Sequence, residues 1–154
     1  MSAEQRLIDL GIELPPVMAP AGTYVPAVRT GNLVFLSGQG PRQADGTIIF
    51  GKVGRDLDLA AGKEAARITG LNLLAALRQE VGSLDRVTRV VKLLGMVNGV
   101  PGFNQTPDVI NGCSELLLEV FGDDIGRHAR SAVGMAELPY DIAVEIELTV
   151  EVAS

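Results

Sequence analysis

The chain has 154 residues, of which 47% are apolar and 21% charged, so it is long enough for one folded domain and too apolar for a disordered protein. Its 19 acidic and 13 basic residues give a net charge of -6 without any basic run, which argues against nucleic acid as a partner. A single cysteine, a charged N-terminus and the lack of an apolar segment of membrane-spanning length predict a cytoplasmic protein without disulfides or membrane contact.

The N-terminal third of the chain predicts a short helix followed by a hairpin. Residues 3–10 have weak helical character, and Gly11 is suited to end this helix. We expect the helix to lie outside the core. Residues 24–29 and 33–37 are rich in Val, Phe, Leu and Tyr, and residues 30–32 (TGN) supply a turn between them. The two runs therefore predict a β-hairpin.

The middle of the chain predicts a short strand, a long helix and a buried strand. Residues 47–50 follow a turn and favour a short strand. Between residues 58 and 81 the apolar side chains recur on one helical stripe, with Asp58 suited to the N-cap and Gly82 to the position after the helix. Residues 86–96 contain a run of Val and Leu that is typical of a buried strand.

The C-terminal third predicts a second long helix and two strands. Thr106 is a plausible cap for this helix, which we expect to end near Gly122. Residues 130–135 form the first strand, and residues 144–152 alternate apolar and polar side chains with the period of a half-buried second strand. Residues 138–141 (LPYD) join the two strands in a hairpin.

The order of these elements indicates an α+β fold. Hairpins at both ends and only two long helices favour a mixed sheet with both helices packed on one face. The other face of the sheet then also needs a cover. Association of chains through that face is the natural solution, and it places binding sites at the seams between chains.

Nucleotide and metal sites find little support in the sequence. The stretch from Gly46 to Lys52 has the spacing of a P-loop, but Val53 stands where a magnesium-binding hydroxyl is needed. The single histidine, His128, and the single cysteine, Cys113, lack the spacing of metal ligands, so we expect no metal site. Cys113 falls on the apolar stripe of the second helix and is predicted to be buried. A turn or interface role is predicted for His128.

The charged residues of the last two strands leave two interpretations open. Arg130 either pairs with an acidic neighbour or holds a small organic acid, because a guanidinium binds a carboxylate bidentately. Glu145 is either a solvated residue or a general base that holds a water molecule. Glu147 and Glu151 have the same parity on the strand as Glu145, so the alternating pattern does not single out one glutamate.

Several stretches of the sequence resemble the RidA/YjgF family. Residues 129–133 (ARSAV), followed by residues 138–139 (LP) and 144–147 (VEIE), are similar to the C-terminal signature of that family. Residues 22–28 (GTYVPAV) resemble its N-terminal hairpin, and residues 109–111 (VIN) resemble the start of its last helix. The stretches occur in the same order as in the family and extend over most of the chain.

This resemblance implies a chorismate-mutase-like α+β fold that assembles as a homotrimer with clefts between subunits. Well-studied members hydrolyse reactive 2-imino acids, or their enamine tautomers, to 2-keto acids and ammonia without a metal or cofactor. By position, Arg130 matches the arginine that binds the substrate carboxylate, Glu145 matches the glutamate that holds the attacking water, and Tyr24 is a third candidate catalytic residue. The further substrate-binding positions that the resemblance implies are Ser37, Asn111, Ser131 and Ala132.

Some positions depart from the family pattern. Ala132 stands where a cysteine is usual, His128 where a proline is common, and Thr23 replaces another proline. These changes border the cleft and keep open an alternative, a non-catalytic trimer that binds or senses a small carboxylate. The ribonuclease label of some members conflicts with the acidic charge. The resemblance also divides the chain into an N-terminal extension, residues 1–19, and a single domain, residues 20–154.

Overall fold

The computed structural model describes residues 1–154 and contains three α-helices and five β-strands, which confirms the α+β class. The helices are α1 (Ala3–Asp9), α2 (Leu59–Val81) and α3 (Thr106–Gly126). The strands are β1 (Ala27–Thr30), β2 (Leu33–Gln39), β3 (Val87–Asn98), β4 (Ala129–Met135) and β5 (Val144–Val152). None of the helices combines the length and the apolar character that crossing a bilayer requires.

One mixed sheet joins the five strands in the order β1-β2-β5-β3-β4. β1 and β2 form the predicted hairpin, and β5 runs antiparallel to both β2 and β3. β4 instead pairs with β3 in parallel. The predicted hairpin between β4 and β5 is therefore wrong, because α3 links β3 to β4 as a crossover and β3 comes to lie between the last two strands.

The helices α2 and α3 pack side by side on one face of the sheet, as predicted. Their close approach depends on glycine, since a Cβ at Gly112 of α3 would collide with the backbone of Lys63 in α2. Beneath them, every second residue of β5 from Val144 to Val152 is buried. Each fully buried leucine of this core contributes about 1.5–3 kcal/mol to stability. The enclosed leucines of the two helices are Leu73, Leu74, Leu77, Leu116 and Leu117.

The short helix α1 belongs to the core, so the prediction that it lies outside is wrong. Ala3 and Leu7 are buried within the main apolar cluster, where α1 packs against α3. The carboxylate of Glu4 accepts a hydrogen bond of 2.9 Å from the backbone N–H of Leu84 and lies 3.3 Å from the guanidinium of Arg78. The burial of Ala3 and Leu7 and the polar contacts of Glu4 hold α1 in place, although the helical periodicity of its sequence is weak.

Two further predictions fail at element boundaries. Residues 47–50 form isolated bridges instead of a strand. Thr106 is the first residue of α3 and not its cap: Gln105 occupies the N-cap position, and the Thr106 hydroxyl donates to the carbonyl of Ala132 in β4. The regular part of α3 does end near Gly122, as predicted, because the backbone there is non-helical with φ of 75° and ψ of 171°; a further short helical segment after this kink reaches Gly126.

The face of the sheet opposite α2 and α3 carries no helix. Val28, Phe35 and Val133 project from this helix-free face and are 54%, 45% and 40% exposed. Val28 and Phe35 are cross-strand neighbours, and exposed apolar residues that adjoin on one surface are typical of a contact site for another chain. Cover of this face by further copies of the chain stays a prediction.

Candidate active site

Five of the seven predicted site residues fall into two groups on opposite faces of the sheet. Val144 and Ile146 point into the helix layer, so Glu145 between them points to the helix-free face. Arg130 pairs across the strands with Leu93, which points into the helix layer, so Arg130 lies on the helix face. Because β3 also separates β4 from β5, one chain does not bring Arg130 and Glu145 together.

Tyr24, Ser37 and Glu145 form the first group, here called the Glu145 group. The pairing of β2 with β5 shifts register just after Leu36, at the point where Ser37 and Gly38 pass the start of β5. A Cβ on Gly38 would lie 2.9 Å from the Cδ atom of Glu145. A glycine at this position therefore gives the carboxyl group room to rest against β2.

A cleft of about 590 Å³ opens beside the Glu145 group, and all three members line it. Residues 16–22 line the same cleft, as does Tyr140 from the loop before β5. The hydroxyl of Ser37 donates to the carbonyl of Val25 at 2.6 Å, so its lone pairs remain as acceptors for a ligand. The volume is sufficient for a small organic acid.

A polar network holds the loop that carries Tyr140 to the cleft. Tyr140 and Asp141 both have left-handed backbone, with φ of 55° and 61°, which costs roughly 1–2 kcal/mol for each residue. Asn98, which is fully buried, donates to Asp141 Oδ1 at 2.8 Å and accepts from Lys52 Nζ at 2.6 Å. These contacts offset the strain and leave Tyr140 81% exposed. Sequence patterns did not identify Tyr140, although the Pro-Tyr-Asp turn was visible.

The carboxyl group of Glu145 is partly buried, and its pKa is raised above the ordinary value. Burial is the main cause, because removal of water disfavours the charged form, and repulsion from Glu147 on the same face of β5 is the second. No hydrogen bond stabilises the charged carboxylate and lowers this pKa. A carboxylate with increased proton affinity is better suited to take a proton from water.

Asn111, Ser114, His128 and Arg130 form the second group, here called the Arg130 group. Arg130 Nη1 donates to Asn111 Oδ1 at 2.7 Å and to Ser114 Oγ at 3.1 Å. Asn111 and Ser114 are three residues apart on α3, so both face β4. The Nε and Nη2 hydrogens of the guanidinium remain for a ligand, and this edge of arginine can bind a carboxylate bidentately.

Arg130 has no acidic partner within the chain. Five ion pairs occur in the structure, and none of them includes Arg130. Of the two interpretations that the sequence left open, the ion-paired arginine therefore does not hold within one chain. A partly buried guanidinium without a counter-ion is suited to an anionic ligand.

His128 and Ser114 extend this group away from the guanidinium. The ring of His128 places Nε2 3.0 Å from Ser114 Oγ and Nδ1 2.7 Å from the carbonyl oxygen of Gly126. Burial lowers the pKa of His128, and the hydrogen bond to Gly126 opposes that effect. Sequence patterns did not identify Ser114. Its spacing of three residues from Asn111 on a predicted helix was the signal that could have identified it.

Ser131 and Ala132 follow Arg130 on β4 with side chains on opposite faces. Ser131 pairs with Leu94 and points to the helix-free face. Ala132 shares the helix face with Arg130, and its carbonyl accepts a hydrogen bond of 3.0 Å from the hydroxyl of Thr106. The substrate-binding role that the sequence analysis expected for these two residues stays a prediction.

Other reactive groups contribute little to the site. The structure has no group of three or more His, Cys, Asp or Glu side chains that could hold a metal ion. Cys113 is buried, as predicted, and burial raises the pKa of its thiol to about 12. A thiol with so high a pKa stays protonated at neutral pH and is a poor nucleophile.

Comparisons with known proteins agree on one family. The profile of the family described as "YjgF/chorismate_mutase-like, putative endoribonuclease" matches residues 4–152. Protein TCP17 of Trypanosoma cruzi is 45% identical over 146 residues, which are 95% of this chain and 91% of that protein. A crystal structure of a protein of unknown function from Agrobacterium tumefaciens is 43% identical, with a TM-score of 0.89 over 98% of this chain and 92% of its own.

Two further relatives carry functional descriptions. A Shewanella oneidensis structure with the same endoribonuclease description is 33% identical, with a TM-score of 0.93 over 99% of this chain and 100% of its own. A protein of Dermatophagoides farinae named 2-iminobutanoate/2-iminopropanoate deaminase is 28% identical over 137 residues, which are 88% of this chain and 91% of that protein. The match of the family profile over nearly the whole length identifies this chain as a member of the RidA/YjgF family.

Proposed function

We propose that this protein hydrolyses 2-imino acids, or their enamine tautomers, to 2-keto acids and ammonia in clefts between copies of the chain. The observation that carries the proposal is Arg130: its Nη1 is held by α3, its Nε and Nη2 edge is open, and no acidic residue of the chain pairs with it. A small carboxylate is the ligand that this edge fits best. The deaminase name of the Dermatophagoides farinae relative supports the choice of an imino acid.

The proposed site needs two chains. Arg130 lies on the helix face of the edge strand β4, whereas Glu145 lies on the helix-free face of β5. We therefore place Arg130 of one chain against the cleft of a neighbouring chain, where Glu145, Tyr24 and Ser37 lie. A homotrimer, as the family resemblance implies, gives each cleft one arginine and also covers the exposed apolar residues of the helix-free face.

The chemistry needs little beyond positioning and one proton acceptor. Arg130 holds the substrate carboxylate and so fixes the imine carbon. Glu145 accepts a proton from water as the water oxygen bonds to that carbon and the C=N electron pair moves to nitrogen, which takes up a proton. The nitrogen of the resulting carbinolamine takes up a further proton from solvent, and the C–N bond breaks with loss of ammonia. The carbinolamine hydroxyl and the carboxyl group of Glu145 each release a proton to solvent, which leaves the keto group and restores the carboxylate. The raised pKa of Glu145 suits this role as proton acceptor.

The direct test follows turnover of 2-iminopropanoate, generated in situ from alanine by an amino-acid oxidase. Ammonia and pyruvate should form faster than in spontaneous hydrolysis. Arg130→Ala should lower kcat/KM at least about 100-fold, because it removes two hydrogen bonds to a charged ligand at about 1.5–3 kcal/mol each. Arg67→Ala is the matched control, since Arg67 forms an ion pair with Glu119 on the helix surface and its loss should leave turnover unchanged. Equal rates for wild type and Arg130→Ala would remove the proposal.

A second candidate function is binding of a small carboxylate without catalysis. It is favoured by the same open edge of Arg130, which requires an anion but no reaction. A rise in melting temperature with 2-keto acids, without turnover of any imine, supports this alternative. The endoribonuclease description of the family is not adopted, because a chain with a net charge of -6 repels the RNA backbone.

A further inference from the structure

We propose that His128, acting through Ser114, is a positioning residue that orients Arg130 for its ligand. The inference rests on the proposed function in one respect, namely that Arg130 binds the substrate carboxylate. Neither Ser114 nor His128 reaches the open edge of the guanidinium, so both act on the ligand only through Arg130. The structure supports the proposal through a chain of hydrogen bonds whose directions can be assigned one by one.

The direction of the bond at Gly126 is fixed by chemistry. A backbone carbonyl only accepts hydrogen bonds, so His128 Nδ1, at 2.7 Å from the Gly126 oxygen, carries a hydrogen. In a neutral imidazole the other nitrogen is then an acceptor. The hydroxyl of Ser114, at 3.0 Å from Nε2, therefore donates its one hydrogen to the ring.

The same assignment determines how Ser114 meets Arg130. With its hydrogen committed to His128, Ser114 Oγ turns lone pairs towards Arg130 Nη1 at 3.1 Å. Asn111 Oδ1 accepts the second Nη1 hydrogen at 2.7 Å. Both Nη1 hydrogens are thus held, and the rotation of the planar guanidinium is fixed with its Nε and Nη2 edge outward. Without the ring, the serine hydroxyl is free to rotate and its orientation towards Arg130 is lost.

The surroundings of His128 favour the neutral ring that this chain of bonds requires. Burial is the main effect that lowers the pKa of His128, and the positive charge of Arg130 lowers it further, against the hydrogen bond to Gly126. Arg89 and Arg127 line the same shallow pocket as the ring. Arg127 is paired with Asp123 at 3.7 Å, so the charge that disfavours a protonated ring is that of Arg130.

Three variants test the proposal with the imine assay and with calorimetric binding of 2-oxobutanoate. Ser114→Ala and His128→Ala should each raise KM and the Kd of the keto acid about tenfold, the size of one hydrogen bond to a charged group, with kcat changed less than about twofold. His128→Gln should restore both constants to within about threefold of wild type, because its side-chain oxygen can accept the Ser114 hydrogen. Because Ser114→Ala removes only a hydroxyl group, this variant still tests the proposal if His128→Ala folds poorly.

Arg130→Ala separates this proposal from the proposed function. Loss of turnover and binding in Arg130→Ala, with wild-type KM and Kd in both Ser114→Ala and His128→Ala, would overturn the positioning role and leave the proposed function standing. Unchanged turnover and binding in Arg130→Ala would overturn both. A fall in kcat without a rise in KM, or failure of His128→Gln to recover, also counts against the assigned hydrogen bonds.

Discussion

The two halves of the candidate site are held in different ways. Four hydrogen bonds connect the Arg130 group, and they tie the guanidinium to α3 and to the end of that helix. The Glu145 group lies beside a register shift and a loop. The pKa of its carboxyl group is raised by burial and by repulsion from Glu147. The orientation of Arg130 is therefore fixed by direct contacts, whereas the pKa of Glu145 is set by its surroundings. Changes to the two halves should accordingly have different signatures.

The largest expected effect on activity comes from variants that each lack one of the two residues, so that Arg130 and Glu145 are intact only on different chains. Arg130→Ala and Glu145→Ala should each be nearly inactive as pure proteins. After joint unfolding and refolding of equal amounts, random assembly should restore about a quarter of the wild-type activity, because that fraction of clefts combines an intact Arg130 with an intact Glu145. Imine turnover of the refolded mixture is the measurement.

Absence of any recovery in that mixture, with mixed assembly demonstrated by mass spectrometry of tagged chains, would contradict a site shared between chains. Refolded wild type is the control for losses during refolding. A second control mixes Arg130→Ala with the double variant Arg130→Ala/Glu145→Ala, in which no cleft regains an arginine and no activity should return.

An intermediate effect is expected on the pH dependence of turnover. Glu145 acts as a base only when it is deprotonated, so activity should fall as the pH drops through its raised pKa, above the ordinary value of 4.5. Glu147→Gln removes the second cause of that shift and should move the acid limb of the kcat profile to lower pH. Glu151→Gln, on the same face but further along β5, is the matched control. Identical acid limbs for Glu147→Gln and wild type would exclude the coupling between the two carboxylates.

The smallest expected effect is on stability. A carboxyl group with a raised pKa in the folded state costs stability above that pKa, where folding keeps a charge partly buried, and the cost disappears as the pH falls below it. Glu145→Gln should therefore raise the melting temperature slightly at pH 7, and the difference from wild type should vanish near pH 4. Thermal unfolding at both pH values checks this. A lower melting temperature at pH 7 would show that the carboxylate is stabilised by its surroundings.

Local patterns predicted much of the fold. The turn at residues 30–32 was sufficient for the first hairpin, and the apolar stripe between Asp58 and Gly82 was sufficient for α2, where Asp58 accepts a hydrogen bond from Ala61 at 2.8 Å. The pairing of β4 was missed because a parallel partner is a long-range choice. The parallel pairing of β4 with β3 depends on the crossover through α3, and the sequence of β4 alone does not indicate it.

The roles of the site residues stay predictions, whereas the structure determines how these residues are arranged within one chain. The family resemblance pointed to Arg130 and Glu145, and the structure adds that Arg130 has no acidic partner within the chain. That the two residues lie on opposite faces follows from the pairing of β4 with β3, which periodicity within one strand does not determine. Ser114 was missed because its role depends on a contact between α3 and β4.

Cys113 makes the opening of the helix layer measurable. Its sulfur lies so near α2 that a Cβ on Gly70 would be 3.0 Å from it, and the thiol is fully buried with a pKa of about 12. A thiol reagent therefore reacts only in molecules whose α2 and α3 have separated. As the single cysteine of the chain, it reports this event without any engineered label. Since α3 carries Asn111 and Ser114, a keto acid that binds at Arg130 should slow the labelling, which gives a readout of ligand binding in solution independent of any enzymatic assay.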